Sequence, residues 1–294
     1  MNVAATPTVN RLAARPETSP EISAREFLAR LAAVVAVEAP RVTRDLLSAE
    51  PRVRHNHLDS LDDDSRKAVS ELAERLRGDR TEILLAEDAL WPRQVNALPT
   101  APAYLFARGN QELLRAPAVG MCGSRHATER GLDAARMCGK TVAARGWHVV
   151  SGYAKGVDTE THLAALSGGG NTVIVLAEGI LHFQRKRAFD GLPFNSKTVL
   201  VLSQFPPTQR WTAGAAMTRN GLIVTLGGSL VVIEAGETGG TLNAGRQALK
   251  LRRPVFALEF SDGPRKGNQA LIHDGAQALR TPRQFSAALD DLPT

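Results

Sequence analysis

With 294 residues, 43% of them hydrophobic, the chain is long enough to bury a sizeable core, and 36 lysines and arginines against 30 acids leave a formal charge of +6. That balance favours an anionic partner, nucleic acid before acidic protein or a membrane surface, without the excess of a polycationic tail. No run reaches the ~18 apolar residues that a membrane span needs, and the opening MNVAATPTVNRLAARPETSPE has no apolar signal core. The reading is a cytoplasmic chain with a disordered tail over residues 1–22. Cys122 and Cys138 belong to no Cys-x-x-Cys pair and read as reduced core thiols.

From Ser23 the pattern turns helical. SAREFLARLAAVVAVEA sets Phe27, Leu28, Leu31 and Val34 on one stripe behind Ser23 as the capping residue, and a second helix is predicted over Asp62–Leu76, its acidic start DSLDDDSRK reading as a solvated first turn. The helical pattern runs to about Leu85, so residues 23–88 read as a small helical domain. WPRQVNALPTAPAYLFARGN then reads as a proline-rich extended connection into a second domain over residues 89–294.

Beyond it, apolar runs recur at Ala118–Cys122, Trp147–Ser151, Thr172–Ala177, Thr198–Ser203, Ser229–Ala235 and Pro254–Phe260. Helical stretches fall between most of them, at Glu129–Arg145, Thr159–Ser167, Thr212–Leu222 and Leu242–Leu251. Continuous runs such as VIVLA and LVVIEA are what strands buried on both faces require. The fold class is therefore α/β, a doubly wound, mainly parallel Rossmann-like sheet.

Ligands of such sheets bind outside the carboxyl ends of the strands. Three of these ends carry glycine loops: Gly123-Ser124-Arg125, then Ser151-Gly152-Tyr153-Ala154-Lys155-Gly156, then Gly239-Gly240-Thr241. Glycine lets backbone N–H groups approach an anion, helix N-termini add positive potential, and Arg125 and Lys155 add full charge, which together describe a phosphate-binding rim. Asp158 reads as the cap of the helix that follows, with His162 on its first turns and no third ligand at a spacing that would hold a metal. His126, His148 and His182 stand alone as structural or surface residues. The basic clusters at 185–187, 250–253 and 265–266 read as solvated surface, and Tyr153, Phe183, Phe205 and Trp211 are the candidate platforms for stacked bases.

The ordered set CGSR, SGYAKGVDTETH, GGGNTVIVLAEGI, TRNG, VVIEAGETGGTLNAGRQAL, PVFAL and GNQALIHDGA resembles the sequence plan of the DNA processing protein A family (DprA/Smf) over about residues 90–282. The resemblance implies a protein that binds single-stranded DNA, pairs as a homodimer and helps load a recombinase on incoming DNA in natural transformation. It assigns Ser124 and Arg125 to a phosphate contact, Gly152, Lys155 and Gly156 to a second binding loop, and Arg219 with Asn220 to a basic segment beside the groove. The chain departs from the family's Arg-Asn-Arg at Gly221, from its Ser-Glu at Gln204, and from its Ser-Gly-x-Leu-Ile-Thr in the loop over 239–243.

Two rivals stay open. One is a nucleotide-binding sensor or nucleotide-processing enzyme, with Glu234 or Glu237 as its acid–base group; the other is a purely structural partner protein. The first reading is a non-enzymatic binder without metal or cofactor. Leu271 and Ile272 on a late helix serve either the dimer face or the internal core.

Overall fold

The computed structural model describes residues 22–292 except Glu38 and Pro264, so the tail expected over 1–22 lies, but for Ile22, outside them. Four helices come first: α1 (Ala24–Val35), α2 (Pro40–Ser48), α3 (Pro51–Asp59) and α4 (Asp63–Gly78). Ser23 caps α1 as expected, its Oγ accepting from Glu26 N at 3.1 Å, and Asp62 caps α4 by accepting from Ser65 N at 2.7 Å. Helix α2 and helix α3 each begin on proline, whose missing N–H costs nothing in a first turn.

The helical reading to Leu85 fails at its end. Thr81–Leu85 is strand β1, which pairs antiparallel with β2 (Tyr104–Gly109), a strand inside the segment expected as an extended connection. The β2 strand in turn pairs antiparallel with β6 (Val199–Ser203) and so fixes this two-stranded addition to the edge of the parallel sheet. One apolar core carries Phe27 and Leu31 of α1, Leu76 of α4, Ile83 of β1 and Phe106 of β2 together with Val199 and Val201.

The parallel strands fall where the apolar runs put them: β3 (Ala118–Cys122), β4 (His148–Ser151), β5 (Asn171–Val175), β6, β7 (Ser229–Val232) and β8 (Val255–Leu258). A short β9 (Gln277–Leu279), unread in the sequence, pairs in parallel with β8. The sheet order is β1-β2-β6-β5-β4-β3-β7-β8-β9. Alternate residues of each strand enter opposite cores. Val119, Val149 and Val231 pack against α5 (Glu129–Ala143), α6 (Val157–Ser167) and α10 (Pro282–Asp290), whereas Val150, Leu200, Leu202, Leu230 and Val232 pack against α7 (Ala213–Leu226), α8 (Gly240–Lys250) and α9 (Lys266–His273). Helix α7 runs a turn past the Leu222 at which the sequence pattern stops, because Ile223, Val224 and Leu226 are all buried there. Leu271 is fully buried against Gly245 of α8, so it serves the internal core, not an exposed face.

Both cysteines are free and buried, and burial pushes both thiols well above their ordinary pKa. No helix among the described residues is long and apolar enough to cross a membrane. From β3 the chain winds outward through β4, β5 and β6, then returns by α7 to β7 on the other side of β3. The strand order reverses between β3 and β7, and the crevice at their carboxyl ends is the place a doubly wound sheet offers a ligand.

Candidate nucleic-acid interface

At that crevice lies a cleft of about 480 Å³ lined by Gly123, Ser124, Arg125, Arg219, Asn220, Gly240 and Thr241, along with Trp211 and Met217. The Gly123-Ser124-Arg125 loop is gripped from both sides. Val157 N, at the start of α6, donates to Ser124 O at 3.3 Å, and Thr241 Oγ1, at the start of α8, donates to Gly123 O at 3.2 Å. Ser124 Oγ accepts from His126 N at 3.0 Å and closes the turn. Arg125 is left exposed, with its guanidinium carbon 5.4 Å from the centroid of the Trp211 ring. Lys155 is exposed as well, and among the described residues neither cation forms an ion pair.

The third loop presents a helix start. Gly239 precedes α8 at φ +107, a conformation that favours glycine, and no side chain caps the helix. The first amides of α8 therefore face the cleft beside Gly240 and Thr241. Asn220 Nδ2 donates to Gly240 O at 3.1 Å and ties this loop to α7. From below, buried Asn268 accepts from Ala235 N at 2.7 Å and donates to Ile233 O and Leu258 O at 2.9 and 2.8 Å, which fixes the backbone from which the loop springs.

The second loop departs from its expected role. Ser151 is fully buried and its Oγ donates to Met121 O at 2.7 Å, so it braces β3 against β4 from inside the sheet and offers nothing to a phosphate. Gly152 is buried too: a Cβ there would overlap the Arg219 guanidinium and the Asp158 carboxylate. Gly156, at φ +75, is the residue before α6, where a side chain would strike the backbone oxygens of Ser124 and Arg125. These two glycines are explained by close packing rather than by exposure to a ligand. Asp158 is not the cap of α6 either, since Gly156 holds that position; its Oδ2 accepts from Ala154 N at 3.3 Å and lies 3.8 Å from Arg219 Nη1.

Arg219 is the largest surprise among the expected cations. It is 6% exposed, on the wall of the cleft, with Nη1 donating to Val175 O at 3.2 Å and Nε without any hydrogen-bond partner. Burial pulls its pKa down from the ordinary arginine value against the opposing pull of Asp158. An orphaned N–H on a buried guanidinium is costly, and an acceptor arriving from the cleft would satisfy it.

Two residues outside the expected site hold the second loop in shape. Lys186, read as solvated surface, is drawn inward: its Nζ donates to Tyr153 O at 2.7 Å, Thr159 Oγ1 at 2.9 Å and Ala154 O at 3.3 Å, and it lies 4.2 Å from the Tyr153 ring centroid. Tyr153 packs in turn on Phe183 and Phe189, which uses those rings for the core and leaves Trp211, 48% exposed, as the accessible aromatic of the cleft. His162 is buried, with Nε2 donating to Gly152 O at 2.6 Å and Nδ1 2.6 Å from Thr172 Oγ1. Burial holds its pKa down to about 4, so it is a neutral bolt under the loop.

The carboxylates that the enzymatic rival needs are already committed. Glu234 accepts from Thr128 N at 2.9 Å, Thr128 Oγ1 at 2.7 Å and Arg265 Nε at 2.6 Å, and Glu237 is an exposed partner of Lys266. Glu234 therefore orders the start of α5. Gly221, the site of the missing family arginine, is buried against Leu98 and Gln247, where a longer side chain has no room without displacing them.

Comparison with known proteins places the sequence and the fold. The DNA processing protein DprA of Streptococcus pneumoniae is 31% identical over 207 residues, covering 69% of this chain and 72% of that protein. The DprA of Bacillus subtilis is 30% identical over 196 residues, and the match spans 64% of this chain and 65% of that relative, just under two thirds of its length. The X-ray structure of the S. pneumoniae protein superimposes with a TM-score of 0.69 at 27% identity, covering 86% of each chain. The DprA of Helicobacter pylori superimposes at 0.64 with 22% identity, over 73% of this chain and 98% of that one, a likeness of fold. A family model described as DNA recombination-mediator protein A matches residues 82–290, more than half the chain, and the chain belongs to that family.

Proposed function

We propose that the cleft between β3 and β7 binds single-stranded DNA, and that the protein acts as a non-enzymatic mediator that holds such strands for a recombinase during natural transformation. The observation that carries the reading is the meeting of Arg125 with the uncapped start of α8 at one cleft and with Lys155 in the hollow beside it, with no carboxylate paired to either cation among the described residues. Cations left without partners on glycine-bearing loops suit a phosphate chain. Half-exposed Trp211 beside Arg125 offers a ring to an unpaired base, which a duplex does not present. The related H. pylori protein has a described single-stranded DNA binding mode.

Binding is favoured over turnover because Glu234 is saturated by three donors and Glu237 is paired at the surface. With Gly221 in place of a third arginine, one cleft grips a flexible strand through few charges. Two clefts on a homodimer raise the effective concentration of the second contact, so the working unit is a cytoplasmic homodimer. Fluorescence anisotropy with labelled oligonucleotides tests the reading: single strands bind more tightly than the matching duplex. Equal affinity for both forms contradicts it. Mass measurement in solution, with and without oligonucleotide, tests the dimer, and a monomer that binds tightly in both conditions removes it.

A further inference from the structure

Behind Trp211 the cleft continues into a second hollow of about 340 Å³, lined by Arg125, Lys155, Tyr153, Trp211, Arg219 and, opposite in charge, Glu178. The carboxylate is anomalous there. Among the described residues it has no hydrogen bond and no ion pair, although three cations line the same hollow. Its backbone is fixed: Ser203 Oγ donates to Glu178 O at 2.7 Å and Gly179 N donates to Gln209 O at 2.8 Å, while Gly179 is packed so closely on Pro206 and Pro207 that a Cβ would overlap their carbonyl oxygens.

An ionised carboxylate repels phosphate and only accepts hydrogen bonds, so what it takes must offer donors. The surrounding cations reject a cationic donor such as an amine. A neutral donor edge carried on an anionic chain satisfies both demands, and an unstacked nucleobase against an aromatic ring is such a group. Of the four bases, guanine displays two adjacent N–H donors, N1–H and the N2 amine, on its Watson–Crick edge, spaced for the two oxygens of one carboxylate. Thymine sets its single N–H between two carbonyl oxygens, which the same carboxylate repels.

We infer that Glu178 reads the Watson–Crick edge of one guanine lodged in this hollow beside Trp211, giving the strand a preferred base at one position. The inference rests on the single-strand reading of the cleft and deepens it.

The test uses the full chain and three short oligonucleotides: thymine throughout, the same with one central guanine, and the same with hypoxanthine, which lacks the N2 amine, in that place. The guanine strand binds roughly tenfold more tightly than the thymine strand, within the range that one bidentate contact to a base edge gives, and the hypoxanthine strand falls between. Glu178→Gln and Glu178→Ala erase the order, while their affinity for the thymine strand holds or rises because a negative charge has left a phosphate groove. A merely structural role would weaken all three strands alike. Equal binding of the three strands by the unmodified protein overturns the inference and leaves the single-strand reading standing, and this comparison needs no variant that folds. Absence of binding to every strand overturns both. Guanosine monophosphate as a competitor separates the sources of the base: displacement only in large excess supports a strand-borne guanine, and displacement at oligonucleotide-like concentration assigns the hollow to a free nucleotide and overturns the strand-borne assignment.

Discussion

Arginines do opposite work at the two ends of this molecule. In the helical region Arg54 is fully buried and donates to Glu26 Oε1 at 2.8 Å and Glu87 Oε1 at 2.6 Å, while Arg30 donates to Glu26 Oε1 at 2.8 Å, Ile83 O at 2.8 Å and Asp88 Oδ1 at 2.9 Å. Both of these buried guanidinium groups have carboxylate partners, and the network clips α1 and α3 to the end of β1. At the cleft, Arg125 and Lys155 are exposed and have no carboxylate partner among the described residues. A paired, buried cation joins elements of the fold; an unpaired one at a crevice is available to an anion from outside.

Breaking the paired end gives the largest expected effect. Arg54→Ala opens a void in the network, takes from Glu26 one of its two guanidinium partners and from Glu87 its 2.6 Å contact, and lowers stability by about 3 kcal/mol, read as a fall in the urea midpoint. The fraction still folded keeps its affinity for single strands. A variant with an unchanged midpoint would erase the contrast between the two ends.

Acid sharpens the contrast, because the bolt under the cleft is a neutral histidine. Burial holds the native pKa of His162 at about 4, below the ~6.5 of the unfolded chain, so between those values the unfolded state binds more protons. Its contribution, about 3 kcal/mol, is complete above pH 6.5 and is lost as pH falls towards 4. Glu26 acts in a lower window: although its burial alone would raise its pKa, hydrogen bonds from Arg30 and Arg54 hold it below the ordinary 4.5. Urea unfolding at pH 7 and at pH 5 checks this, with His162→Gln expected to flatten the difference and an unchanged slope contradicting it.

Much of the fold was legible in the sequence. The continuous apolar runs marked six parallel strands, and the glycine loops after two of them, β3 and β7, line the crevice. Strands β1, β2 and β9 were not legible, for TEILL follows directly on a helix, YLFARG sits among prolines, and QAL is too short to show a period. All three take their structure from pairing with distant strands, which local pattern does not record. Arg125 and Lys155 are exposed on the two loops that loop chemistry singles out. Loop position and motif place Ser151, Gly152 and Arg219 at a ligand, yet Ser151 is buried with its Oγ on Met121 O, and the guanidinium of Arg219 occupies the space that Gly152 leaves. The roles of Lys186 and His162 depend on contacts with Tyr153, Gly152 and Thr172 that the pattern around each residue does not record.

At the unpaired end the effects are smaller and fall on affinity. Arg125→Ala removes one charge-assisted phosphate contact and costs about 1.5–3 kcal/mol of single-strand binding. The urea midpoint stays where it was, since the side chain is exposed. A large loss of stability with affinity intact would reverse the assignment. Lys155→Ala costs less, about 1 kcal/mol, and lowers the salt dependence of binding uniformly across sequences.

Salt titration of single-strand binding tests the central claim most directly, because unpaired cations that hold phosphates release counterions and paired ones do not. With at least Arg125 and Lys155 engaged, the logarithm of affinity falls against the logarithm of salt with a slope of about −1.4 or steeper, and each of the two alanine variants loses roughly 0.7 of it. A slope near zero in the unmodified protein, or one that neither substitution changes, would contradict the account.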